Sequence, residues 1–394
     1  MRHIVPFILI VCFAVHNASA QKIPTYKKIT LSNQFTAEGA CTGDFNKDGI
    51  PDIAAGPYWY EGPDFTKKHE IYKVEALDPA KYSDNFGMFT GDFNGDGWDD
   101  IFICPHPGTQ AYWYENPKGK EQHWNKVMCL PELGNESQMW FDIFGDGRLG
   151  PIYNMNKKLG FGTFEIKGGK PEWTFHQVSN EDERYQRYTH GIGAGDINGD
   201  GRIDLLDSKG WWEQPKDKKQ VPWTFHPFDF GPAPAHMLVY DVDGDGLNDV
   251  ITAHHCHLYG LCWYQQVRDG SGNITFKRHE IMPIEPDLNS DALRFTQMHA
   301  FALADFNGDG LMDFVTGKRY YAHGPKGDKE ADAPAVLYWF ELKRDGKGGA
   351  KFIPHKIDDD SGVGTQVWVA DLNGDKVPDV VVCNKKGTFV FLSQ

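Results

Sequence analysis

Two kinds of chemistry-bearing residues recur along this chain. The first is a crowd of imidazoles: His254, His255 and His257 surround Cys256, just after a carboxylate-rich loop. A neutral imidazole can accept a proton or bind a borderline metal such as Zn²⁺. The second is a nine-residue pattern. It places carboxylate or amide oxygens at positions 1, 3, 5 and 9, a backbone carbonyl at 7 and a glycine at 6 for the sharp turn, a donor set for a hard cation such as Ca²⁺.

The nine-residue pattern occurs seven times, starting at Asp44, Asp92, Asp142, Asp196, Asp241, Asp305 and Asp371. The expected Ca²⁺ ligands are Asp44, Asn46, Asp48 and Asp52 in the first copy and Asp92, Asn94, Asp96 and Asp100 in the second. The fourth offers Asp196, Asn198, Asp200 and Asp204, and the fifth Asp241, Asp243, Asp245 and Asp249. Asp305, Asn307, Asp309 and Asp313 follow, then Asp371, Asn373, Asp375 and Asp379. The third copy has Phe144 where an amide or carboxylate is expected and Gly150 at position 9, so it should bind nothing. In the seventh, Lys376 replaces the turn glycine and strains the loop.

Elements must hold these loops at equal intervals. The starts lie 48, 50, 54, 45, 64 and 66 residues apart, and each copy has a short strand before the loop and an apolar strand after it. An aromatic strand such as "WYE" or "WWE" follows, then a fourth carrying a histidine (His69, His176, His226, His279, His355). Repeats of this length with four short strands signify a propeller. After Asp371 only three strands remain, whereas "TYKKITLS" near the start is an orphan. The expected fold is all-β: a seven-bladed β-propeller of four-stranded antiparallel blades, closed by the N-terminal strand completing the last blade, which also removes exposed edges.

Residues 1–20 combine a basic start, an apolar run and Ala18-Ser19-Ala20, the form of a cleaved export signal, which leaves 21–394 as one propeller that is secreted or periplasmic. No later run could span a membrane as a helix. The net charge of −15 without a Lys/Arg cluster argues against nucleic acid, and metal ligation explains most of the acidity. Of the cysteines outside the signal, only Cys256 and Cys262 are near in sequence, and either a disulfide or buried thiols fit. The chain is expected to act as a monomer.

The segment "NFGMFTGDFNGDG" resembles the FG-GAP (VCBS) repeats of integrin α-subunit propellers. That resemblance spans essentially the whole mature chain and implies Ca²⁺ loops joining strands 1 and 2 of each blade at one face. "GPYWYEGPDFTKKHEI" and "HAFALADFNGDG" are similar to the propeller part of aldos-2-ulose dehydratase and 1,5-anhydrofructose dehydratase proteins. This second resemblance implies elimination of water from a keto-sugar at a metal-containing propeller site.

With calcium at one end of each hairpin, His106, His190, His236, His254, His255, His257, His299 and His323 all fall at the other end, with Lys209, Lys318, Arg319, Tyr320, Tyr321 and Gln366. Placing Asp241 opposite Asp249 sets His236 across from about residue 254, His299 near Arg319 and Phe86 near His106. Alternation puts His255 and His257 on one face and His254 on the other, or the reverse if a bulge intervenes. The expected catalytic pool is His236, His254, His255, His257, His299, Arg319, Lys318 and Tyr320, with a second divalent metal such as Zn²⁺ among the imidazoles. The reaction would be β-elimination on a keto-sugar or uronate: a His or Tyr base removes the proton α to a carbonyl while a cation, Arg319 or Lys318 stabilises the enediolate. The competing reading is a non-enzymatic glycan- or protein-binding (adhesion) propeller.

Overall fold

The computed structural model describes residues 23–394; the expected export segment lies outside them. No helix occurs among the described residues, which form five four-stranded sheets and one eight-stranded sheet. The eight-stranded sheet is two antiparallel meanders whose first strands, Ile192–Gly195 and His236–Tyr240, touch in parallel through Ile192 with His236 and Gly193 with Met237. Every sheet therefore resolves into the same unit of four strands. In the unit that begins at Ala40 these are Ala40–Gly43, Asp52–Ala55, Tyr58–Tyr60 and Lys68–Glu70.

Burial falls from the second strand of each unit to the fourth, as residue types dictate. Second strands such as Asp100–Cys104 and Asp379–Asn384 are buried along their whole length, whereas fourth strands such as Asn125–Leu133 are largely exposed. The fourth-strand histidines stack on the aromatic strand. Ring centroids are 4.1 Å apart for Trp59 and His69, 4.0 Å for Trp211 and His226, and 4.3 Å for Trp339 and His355. A glutamate of the aromatic strand holds each of these imidazoles: Glu61, Glu213 and Glu341 respectively. These histidines are structural.

Units are also latched to one another. Asn116, Gln214 and Gln266, each at the end of an aromatic strand, donate to backbone carbonyls of the preceding unit at Phe45, Ile143 and Ile197. The N-terminal strand Tyr26–Ser32 pairs antiparallel with Gly387–Ser393, so the last three strands of the chain acquire their fourth from its beginning.

The register differs by one residue from the sequence expectation. Position 9 of each loop pairs with the residue before position 1: Tyr240 with Asp249, Gly91 with Asp100 and Ala304 with Asp313. Carried along the hairpin, His236 faces Ala253 rather than 254. The reason lies in the ninth-position carboxylate, which turns back to the backbone N–H of position 2 at Phe45, Phe93, Ile197, Val242, Phe306 and Leu372. All six cysteines in the described residues are free, so Cys256 and Cys262 are thiols.

Candidate functional site

The loops are organised from within. In the loop at Asp196, the first carboxylate accepts from Gly199, Asp200 and Gly201 N–H, Asn198 Oδ1 accepts from Asp200 N–H, and Asp200 Oδ1 accepts from Arg202 N–H. The turn needs a left-handed residue at position 6, and Gly201 and Gly246 supply it at φ +82° and +85°. In the loop at Asp241, three carboxylates, Asp241, Asp243 and Asp249, bring oxygens within 4.8 Å of one another. The buried ninth carboxyls carry a tension that a cation relieves. Burial and then neighbouring loop carboxylates raise Asp100, Asp204 and Asp313 to about 7, against backbone donors that pull the other way. An all-oxygen donor set around such a carboxylate fits Ca²⁺. The third loop lacks it: Phe144 packs edge-on against Phe161 and His176, Arg148 pairs with Asp146, and a Cβ at position 150 would lie 2.0 Å from Gly162 O.

At the opposite end, one position in each unit decides what meets at the centre. Six residues before the loop's first Asp stand Glu38, Phe86, Glu136, His190, Ala235, His299 and Thr365. His190 Nε2 lies 3.3 Å from Glu136 Oε2 and 3.3 Å from His257 Nε2. The His257 and His299 rings are 4.6 Å apart, those of His190 and His299 5.7 Å. One atom each of His190, Cys256, His257 and His299 falls within 4.8 Å of the others. His299 Nδ1 is 3.1 Å from Gln297 O, while its buried Nε2 has no partner.

A second dyad adjoins this group. Asp328 Oδ1 lies 2.9 Å from His323 Nδ1 and 3.3 Å from His257 Nδ1, and Oδ2 accepts from His323 N–H. This fixes the exposed His323 ring 4.5 Å from that of His257 and leaves its Nε2 outward, the arrangement of a general base oriented by a carboxylate. His255 completes the rim, its ring 6.0 Å from His257. Burial and then His257 lower His255 to about 4; burial and then the charge of Arg319 hold His299 well below its usual value. Burial opposes the charge of Asp328, but His257 and His323 outweigh it and keep the carboxyl ionised. Burial, the first cause in each case, thus favours the uncharged imidazole at His255, His257 and His299, the form in which a histidine binds a metal.

Five residues of the expected catalytic pool are not in this group. Arg319 is 0 % exposed and held between two carboxylates: Nη2 donates to Glu38 Oε2 at 2.7 Å and Nη1 to Glu136. Buried there, the guanidinium neutralises those carboxylates and is not presented at the rim. Lys318 is buried with Nζ on Glu330 O. His236, five residues before its loop rather than six, takes the other side of the strand, where Nδ1 accepts from Phe301 N–H; Gln366 uses the same position to accept from Ala40 and Met88 N–H. His254 lies 3.3 Å from Tyr264 Oη, away from the cluster; the strand ends at Ala253, and the turn that follows it, not strand alternation, brings Cys256 and His257 together. Tyr320 stacks on Tyr321 at 4.2 Å, and its hydrogen bond to Tyr321 and burial push it up to about 12, unfit as a base. His190 and His323 take their places, with Glu136 and Asp328 behind them. The cue for His323 was an Asp five residues on in "HGPKGD"; the histidine count alone passed over the acids.

Comparison with known proteins follows this geometry. The FG-GAP-like repeat family matches residues 241–316, from the fifth loop through the second strand of the next unit. No curated protein matches. Among solved structures, an Agrocybe aegerita lectin described as recognising non-reducing terminal N-acetylglucosamine is 15% identical, with TM-score 0.49, covering 86% of this chain and 81% of its own. The rhamnogalacturonan lyase YesW is 15% identical, with TM-score 0.44, covering 93% of this chain and 75% of its own. This chain thus carries an FG-GAP-like repeat within an all-β array of four-stranded antiparallel units.

Proposed function

We propose that the seven units form a closed propeller with Ca²⁺ in its loops and a carbon–oxygen lyase site for a keto-sugar or uronate at the opposite mouth, in an exported protein. The ring reading is supported by the shared sheet of the two termini and by side chains that bridge units, such as Trp368 Nε1 donating to Thr42 Oγ1. One observation carries the function: the convergence of His190, Cys256, His257 and His299 within ligand distance, with a buried, unpartnered imidazole nitrogen among them.

Three imidazoles and a thiol suit Zn²⁺ or a similar borderline metal. Burial pushes the Cys256 thiol well up, and metal binding would release its proton. Held by three of these four side chains with one position open, a bound metal would supply Lewis acidity toward a carbonyl oxygen. The chain's own residues do the rest. His323, held by Asp328, takes the proton α to the carbonyl; as the C=C bond forms the β C–O bond breaks, the proton now on His323 passes to the departing oxygen, and His255 at the rim is placed to hydrogen-bond that oxygen as it leaves. Glu136, itself held ionised by Arg319 against burial, orients His190.

The test is a screen of keto-sugars and uronate oligomers for the ultraviolet absorbance of a conjugated product. Turnover that is lost in His323→Ala and in Asp328→Asn, with folding intact, supports the reading. Absence of product across both substrate classes, or full activity of His323→Ala, removes it.

A further inference from the structure

A second cavity lies on the flank between the first two units, away from the histidines. It measures about 670 Å³, within the roughly 300–1,000 Å³ of clefts that hold small ligands. Its wall carries Tyr72 and Tyr114, whose rings lie 5.0 Å apart and 31° from parallel, and Tyr112 with Lys126 Nζ 3.9 Å above its ring. Tyr112 Oη donates to Gln110 Oε1 at 2.8 Å, which leaves the Gln110 amide nitrogen as a donor toward the opening.

Asn85 is the informative residue. It lines this cavity and is 3 % exposed; its carboxamide nitrogen is turned to the Tyr72 hydroxyl, while Oδ1 is buried without a hydrogen-bond partner. Its backbone is pinned: Asn85 O accepts from Ser83 Oγ and from Glu38 N–H, each at 2.8 Å. A buried acceptor left unpaired costs about 1–3 kcal/mol, so a hydrogen-bond donor should fill the place. Charge on the wall is balanced. Lys73 pairs with Glu75 at 3.5 Å, and Lys126 faces the tyrosines while Asp84 stands beside Asn85. Two cations and two anions select for no net charge.

The geometry points to a binding site for a neutral oligosaccharide in this groove, with the tyrosine rings against the apolar faces of sugar rings and Asn85 Oδ1 accepting from a sugar hydroxyl. It is distinct from the mouth site and does not depend on the lyase reading. Either holding a polymer during turnover or simple adhesion would use it.

Calorimetric titration of the full chain with cellotetraose, xylotetraose and mannotetraose, and with tetragalacturonate as the charged comparator, tests this. At least one neutral tetrasaccharide is expected to bind, with affinity reduced about tenfold or more in Asn85→Ala and in the less buried Tyr112→Ala. Should Asn85→Ala fail to fold, Gln110→Ala combined with Tyr112→Ala takes its place. His257→Ala should bind as the parent does, which separates this site from the mouth. Failure of all three neutral probes, preference for tetragalacturonate, or binding indifferent to the groove variants overturns the proposal.

Discussion

At the scale of single residues, the decisive distinction is between a charge that meets substrate and one that holds the site together. Arg319 belongs to the second kind, since it joins Glu38 and Glu136 from distant units with no exposure. Removing one partner of such a buried group leaves uncompensated charge, at a cost of about 3–5 kcal/mol. Arg319→Met should therefore lower the melting temperature strongly, and Glu38→Gln with Glu136→Gln in the same chain should recover much of it. A melting temperature unchanged by Arg319→Met contradicts this role. The residue scale is also where sequence alone fell short. Histidines could be assigned to one end of the hairpins, but whether a side chain points to the centre or to a neighbour depends on a single position. His190 and His299 stand one residue further from their loops than His236, just before the strands Ile192–Gly195 and Phe301–Ala304, and turn to the cluster, while His236, inside its strand, turns to Phe301. The acids Glu38 and Glu136 carried no local signal because their partners lie in other units, whereas Asp328 stood five residues after His323.

At the scale of elements, the loop-and-hairpin unit was legible throughout, because its oxygens, glycine and apolar strand recur in order. The job of the ninth carboxyl was not, since its backbone donors come partly from the third strand, as Asn116 N–H does for Asp100. Burial raises that carboxyl to about 6 or 7 in the loops at Asp44, Asp92, Asp196, Asp241 and Asp305. A carboxyl raised on folding contributes stability that is full below about pH 4, its unfolded value, and lost as pH rises through its folded value. Calcium-free protein should thus lose thermal stability between about pH 4 and about pH 7, and added Ca²⁺ should restore it by favouring the ionised form. A melting temperature indifferent to EDTA across that range makes the loops simple turns. In the seventh loop, Lys376 keeps the turn at φ +69°, a conformation unfavourable by about 1–2 kcal/mol for a residue with a Cβ. Lys376→Gly is expected to raise stability by about 1 kcal/mol, read from denaturant unfolding; a loss of stability would show that the lysine side chain matters more than its backbone.

At the scale of the whole molecule, the two termini meet in one sheet, and side chains such as Gln366 tie that sheet to the first and second units. Deleting residues 21–33 removes the Tyr26–Ser32 strand and exposes the Gly387–Ser393 edge. The expected result is a large drop in melting temperature for the single cooperative transition, whereas an unchanged transition denies that the ends close the fold. The proposed ring accounts for the way His190, His257, His299 and His323, from distant places in the chain, lie together. That meeting is the central claim, and metal content per chain tests it most directly. Protein purified without chelator should hold about one equivalent of Zn²⁺ or a similar transition metal in addition to any calcium. His257→Ala and His299→Ala should each lose it while keeping the parent's circular dichroism and calcium content. A chain that carries no transition metal even after Zn²⁺ is supplied, or that retains it in both variants, contradicts the account.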